Sequence, residues 1–235
     1  MKPILLFAGP SLGAAQMPVQ PPIRLMPPAR CGDLLRALRD DPAAIALVDG
    51  VFEIAPTVWH KEILAVLDAG VPVFGAASLG ALRAAELDRF GMIGVGAIYR
   101  AYRDGDIESD AAVMVAHAPA ELGHRPLTLA LVDVEASLAA AGLDEAAYRM
   151  LLRIARGLNF RVRSWDAIFA AYSDRAGAAE AARAAAIVTG TAFSQKQRDT
   201  AELLDVLASA NVGALRGGAL PRTIFLERLV SACAA

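Results

Sequence analysis

Over the first 90 or so residues, short apolar runs alternate with stretches whose leucines and isoleucines recur at helical spacing. Residues 4–8 are apolar and end at Gly9-Pro10-Ser11, which predicts a buried strand feeding a loop. Residues 17–29 carry five prolines and suit neither a helix nor a central strand, so they are expected to run extended over the surface. A short helix is predicted over 33–39 from Leu34, Leu35 and Leu38, and a second strand over 44–48, ending in Asp49-Gly50. Thr57 as cap, with Val58, Ile63, Leu64 and Leu67 on one face, predicts a helix over 57–69 that Gly70 stops. A third strand follows over 71–74 and gives way at Gly75-Ala-Ala-Ser78-Leu-Gly80 to Ala81-Leu-Arg-Ala-Ala-Glu-Leu, a run of strong helix formers.

Residues 90–99 read as a Gly-rich turn region, and 112–116 as a fourth strand ending in His117. Beyond Pro119 the pattern predicts only helices: 127–140, 144–156, 164–172, 178–188, 195–210 and 221–230. Gly123, Gly142, Gly157 and Gly217-Gly218 punctuate them. The expected fold is α/β: a parallel Rossmann-like sheet domain over 1–120, followed by an all-helical C-terminal region over 121–235. In such sheets ligands bind beyond the carboxyl ends of the strands. Gly9-Pro10-Ser11, Asp49-Gly50 and Ser78 all follow strands, so chain order alone predicts that they gather at one edge.

Composition narrows the function classes. A net charge of -2 argues against a general nucleic-acid binder, which would need a basic face. No apolar run reaches the roughly 20 residues that span a bilayer. The opening apolar run is short and breaks at Gly9-Pro10, so it reads as a first strand in a cytoplasmic protein rather than a leader. Cys31 and Cys233 are far apart in sequence and form no CxxC or Cys/His cluster, so neither a disulfide framework nor a metal site is expected. The glycines after the first strand do not follow G-x-G-x-x-G, and no cofactor is expected.

Candidate chemistry centres on Ser78. A strand turning sharply into a helix presents backbone N–H groups without intrahelical partners, together with the positive end of the helix dipole. That arrangement suits an anion or a developing oxyanion. Ala76-x-Ser78-x-Gly80 is close to the G-x-S-x-G nucleophile elbow, with Ala for the first Gly. Ser is equally a preferred N-cap, so Ser78 has a structural reading beside the nucleophilic one.

Three passages carry a resemblance. They are Pro21-Pro22-Ile-Arg ahead of Gly32-Asp33-Leu; then Val48-Asp49-Gly50-Val-Phe with Val58-Trp59-His60-Lys61-Glu62-Ile63-Leu64; then Gly75-Ala-Ala-Ser78-Leu-Gly-Ala-Leu-Arg83-Ala-Ala-Glu86-Leu. Phe90-Gly-Met-Ile-Gly-Val-Gly and His117-Ala-Pro add to it. Over about residues 4–119 the chain resembles the TfuA-like core domain. The resemblance implies a partner of YcaO-type enzymes, which use ATP to activate backbone amides of ribosomally made peptides and install thioamides. It further implies release of sulfide from a thiocarboxylated, ThiS-like sulfur-carrier protein. One departure stands out: Ala111 and Ala112 replace expected acids, while Asp110 remains.

That reaction is acyl-group hydrolysis, which needs an attacking oxygen, a proton carrier and oxyanion donors. Ser78 offers the oxygen; the amides of Leu79 and Gly80 offer donors. Attack by Ser78 through an acyl-enzyme, and attack by a bound water that Ser78 orients, both fit. His60 is the first candidate base, with Lys61 and His117 as rivals; each also reads as an ordinary surface, core or capping residue. His124, in a linker between Gly123 and Arg125, is assigned nothing. Asp49 either orients an imidazole or only forms a turn with Gly50. Glu53 is a second orienting acid or loop surface. Arg83 clamps the carrier's carboxylate or pairs with Glu86 three residues on. Gly9 and Pro10 line the same edge. The readings that compete are an accessory hydrolase, a non-catalytic adaptor docking carrier and YcaO, and a small-molecule esterase.

Overall fold

The computed structural model describes residues 2–52, 55–209 and 224–234. Glu53, Gly217-Gly218 and Pro221 lie outside the described residues. The chain forms two units, one from residues 1–108 with 197–235 and the other from 109–196.

The first unit is built on five parallel strands: β1 (Ile4–Phe7), β2 (Ile23–Met26), β3 (Ala44–Leu47), β4 (Val73–Ala76) and β5 (Ile93–Val95), in the order β2-β1-β3-β4-β5. The expected parallel Rossmann-like sheet is borne out. β1, β3 and β4 are buried along their whole length, which is why they read as unbroken apolar runs rather than alternating ones. The Pro-rich passage supplies β2 at the sheet edge, the position where proline in a flanking residue disrupts no ladder. The Gly-rich 90–99 segment is not only a turn, for it holds β5 and the start of a helix. Gly94 reads as a breaker but is a packing residue: a Cβ there would lie 2.2 Å from the Tyr99 ring.

α1 (Asp33–Ala37), α2 (His60–Asp68) and α3 (Leu79–Leu87) lead into β3, β4 and β5. Those three crossovers all step in one direction across the sheet, so right-handed connection puts their helices on one face. The other face is covered from far along the chain. Leu203, Leu204 and Leu207 of α9 (Gln195–Ser209) pack with Ile4, Leu6, Ala46, Val48, Phe74 and Ala76. α9 also ties down α4 (Ala97–Asp104), because the buried Asp199 carboxylate accepts from the amides of Ala97 (3.0 Å) and Ile98 (2.8 Å) at the start of α4. α10 (Ile224–Ala234) meets α1, with Arg39 donating to the Cys233 carbonyl and the Cys233 thiol 3.6 Å from the Gly32 carbonyl.

Glu62 of α2 is fully buried. Its Oε1 accepts from Leu34 N at 2.9 Å, while its Oε2 has no partner among the described residues. Burial pushes its carboxyl above the ordinary range, only partly offset by the amides of Gly32, Leu34, Leu35 and Trp59. A native value above the unfolded one means that the folded chain holds the extra proton. The resulting stability is complete below about pH 4.3 and is lost as pH rises through the raised native value. Glu62→Gln is therefore expected to gain stability relative to wild type as pH rises across that window. Urea midpoints measured at several pH values check this; parallel curves for the two proteins would refute it.

The second unit is helical: α5 (Leu131–Ala140), α6 (Glu145–Gly157), α7 (Trp165–Ala176) and α8 (Ala178–Thr191) share a core of Val134, Leu138, Leu151, Ile168, Tyr172 and Val188. Asp144 and Ser164 cap α6 and α7 through Ala147 N and Ala167 N. Residues 112–116 do not form the expected strand. A 3-10 turn covers Asp110–Ala112, and His117 makes only an isolated bridge to Pro126. Among the described residues no helix is long and apolar enough to cross a membrane.

Candidate functional site

The chain leaves β1 towards β2 on one side and returns to β3 on the other. The gap between the carboxyl ends of β1 and β3 is therefore the topological switch point, where such sheets bind ligands. Asp49 stands there, 2% exposed. Its Oδ2 accepts from Gly9 N (2.8 Å) and Ser11 N (2.9 Å), and its Oδ1 from the Ser11 hydroxyl (2.6 Å). Its backbone is also pinned, with its N–H to the Phe7 carbonyl and its carbonyl to Ala29 N. Asp49 thus clasps the β1 loop, with Pro10 between its two amide donors. Ser11, buried in the same cluster, is placed at this edge by chain order but carries no assigned role in the sequence reading. Its only signal is a hydroxyl two residues past the glycine that ends β1.

Replacing Asp49 by Ala orphans three donors in a buried site, at about 1–3 kcal/mol for each left unpaired. A loss of about 2–4 kcal/mol is expected in urea unfolding, and a loss under about 0.5 kcal/mol would contradict the clasp.

The neighbouring strand end holds the corner itself. The β3–β4 register pairs Leu47 with Gly75, which sets Asp49 and Ala77 on adjacent strand ends. Ala77 has φ 65°, and Ser78 N donates back to Ala76 O at 2.8 Å, closing a γ-turn of the rarer, more strained hand. Backbone strain of this kind concentrates at functional sites. Ser78 is the N-cap of α3 and 3% exposed, yet its side chain does not cap the helix. Among the described residues its hydroxyl has no hydrogen-bond partner, nor does the amide of Leu79. Gly80 N, the second expected donor, is given to the Val48 carbonyl at 3.1 Å. The corner therefore offers one hydroxyl and one backbone N–H side by side.

His60 and Arg83 converge on one carboxylate further along α3. His60 opens α2, and its Nε2 donates to Glu86 Oε2 at 2.7 Å. Glu86 is two turns along α3 from Ser78, about 12 Å by helical rise. Arg83 donates through Nη1 to the same oxygen at 2.7 Å and through Nε to the Val58 carbonyl at 3.0 Å. Burial raises the Glu86 carboxyl, but the hydrogen bonds from His60 and Arg83 outweigh it and hold it below its ordinary range. The Arg83–Glu86 ion pair is present, so Nε and Nη1 of Arg83 are both engaged. Lys61 follows His60 in the first turn of α2 and is half-buried. His117 belongs to the second unit, where its Nδ1 donates to the Ala118 carbonyl at 2.8 Å. Among the described residues no set of three His, Cys, Asp or Glu side chains could hold a metal ion.

A parallel sheet with a strained strand-to-helix corner, a serine over a helix start and a buried carboxylate clasp at the switch point makes this an α/β protein with one candidate site at the carboxyl ends of its strands. The family model for TfuA-like proteins matches residues 49–164, so that stretch is similar to TfuA-like proteins. The match begins at the clasp residue Asp49, takes in Ser78 and runs through α6, further than the recognisable strings extend. This family is associated with YcaO-type thioamide systems. No curated protein matches the chain.

Proposed function

We propose that this protein is the accessory hydrolase of a thioamide-forming system, releasing sulfide from the thiocarboxylated C-terminus of a ThiS-like carrier for a YcaO partner. The observation that supports it most is Ser78, a 3% exposed serine whose hydroxyl has no partner among the described residues, beside an amide that has none there either, at a strained turn. A serine at a helix start that does not cap its own helix leaves its hydroxyl available to a ligand.

In the proposed reaction the Ser78 oxygen bonds to the carbonyl carbon while the C–S bond breaks. The Ser78 proton leaves with the sulfur as hydrosulfide, giving an ester on Ser78. Water then adds to the ester, restoring the hydroxyl and releasing the carrier carboxylate and a proton. The departing sulfur takes up the Ser78 proton and leaves as hydrosulfide, so in this scheme it is the proton acceptor of the first step. The Leu79 N–H faces the developing oxyanion, and the dipole of α3 favours the anionic substrate. Asp49 holds the β1 loop in place beside the corner.

The adaptor reading keeps one observation of its own. Trp59 and Phe90 are 42% and 50% exposed on either side of the His60–Glu86 pair in sequence, as aromatic contacts for a partner would be. Purified protein mixed with thiocarboxylated carrier, with sulfide followed directly, separates the two. Release above the rate of carrier alone supports the hydrolase. Carrier binding without release removes it and leaves the adaptor. Turnover of small esters with no carrier present would instead favour an esterase.

A further inference from the structure

His117 and His124 lie on the two arms of one turn in the second unit. His117 bridges Pro126, Ala118 N donates to the Arg125 carbonyl at 2.8 Å, and His124 N closes the turn on the Pro119 carbonyl. The two rings meet edge to face, with centroids 5.4 Å apart and planes at 68°. An ordinary aromatic contact has that spacing. So have two imidazoles on one tetrahedral ion: with metal–nitrogen bonds of about 2.0–2.1 Å, their ring centroids fall roughly 5–5.5 Å apart.

The nitrogens distinguish the two arrangements. A carbonyl only accepts, so the His117 contact with Ala118 O fixes its proton on Nδ1 and leaves a lone pair on Nε2. Metal-binding histidines are oriented in the same way, by a backbone carbonyl on the other ring nitrogen. His124 Nδ1 is a buried side-chain atom with no partner among the described residues, on a residue whose backbone is held at φ 53°. A strained residue that keeps a ring nitrogen unsatisfied points to a missing ligand.

We propose that His117 and His124 form a two-imidazole site for a late first-row divalent cation, Zn²⁺ in particular, through Nε2 of His117 and Nδ1 of His124. No third His, Cys, Asp or Glu among the described residues completes the set, so water fills the remaining positions and the site stays open. The inference is independent of the sulfide-releasing reading.

The test is calorimetric titration of the full chain with Zn²⁺ in a Cys31→Ser/Cys233→Ser background, which removes the only thiols. One ion per chain is expected, with His117→Ala and His124→Ala each weakening binding at least tenfold. His60→Ala, which removes the remaining histidine, should leave binding unchanged. Ring-nitrogen NMR of the unsubstituted histidines should show Zn²⁺ shifting His117 Nε2 and His124 Nδ1, which keeps the result readable if a variant misfolds. Absence of binding at millimolar Zn²⁺, binding that survives His124→Ala, or shifts confined to His60 would each overturn the site and leave the pair as a ring contact only.

Discussion

Ser78→Ala should cut sulfide release from a thiocarboxylated carrier by about a thousandfold or more while leaving stability within about 0.5 kcal/mol of wild type. The two halves of this expectation come from the same fact. The hydroxyl makes no hydrogen bond among the described residues, so the fold loses no bond when it is removed. If the oxygen attacks the carbonyl, the reaction loses its bond-forming atom. A Ser78 ester should also accumulate in the wild type when the reaction is quenched early, visible as carrier mass added to the protein. Should Ser78 only orient a water, the loss would be nearer ten- to a hundredfold, with no adduct. Release above a tenth of the wild-type rate would remove Ser78 from the chemistry altogether. Loss of both release and stability would show that the residue is structural.

Gly80→Ala should unfold the sheet unit, costing more than about 4 kcal/mol. A Cβ on Gly80 would sit 1.8 Å from the Leu47 carbonyl oxygen and 2.6 Å from its carbon. These are backbone atoms of a central strand, so no side-chain rotation relieves the overlap. Opposite it, a Cβ on Gly75 would meet the Gly80 carbonyl at 2.2 Å. The helix start and two strand ends are therefore in backbone contact, which Gly80 N reinforces by donating to Val48 O. Gly70→Ala is the control: its φ of 81° strains an alanine, but nothing lies within 4 Å of the new atom. It should cost about 1 kcal/mol. Urea midpoints for the two variants decide it, and equal costs would mean that close approach is not what fixes Gly80.

The contrast between these glycines shows what the sequence could and could not reveal. The β4 run and its turn at Gly75–Gly80 were legible because a doubly buried strand is apolar throughout and the helix formers follow at once. Gathering of Gly9, Ser11 and Asp49 at one edge followed from chain order. What Asp49 does there was not legible, because its partners lie some forty residues earlier and an Asp-Gly pair reads locally as a turn. Gly80 N reads as a free helix-start donor until tertiary packing gives it to Val48. The same applies to His60, whose neighbours in sequence say nothing of Glu86 on another helix. β5 was hidden because Ile93-Gly-Val95 is short, and its glycine answers to the Tyr99 ring rather than to a bend.

The cover that α9 lays over the second face of the sheet has a consequence during synthesis. The five strands are complete by Val95, yet Leu203, Leu204 and Leu207 must leave the ribosome before that face meets its own chain. Through the intervening interval the nascent polypeptide carries Ile4, Leu6, Phe74 and their neighbours without this covering helix. Such a surface invites aggregation or chaperone capture. A gene ending shortly before residue 203 would make that transient exposure permanent.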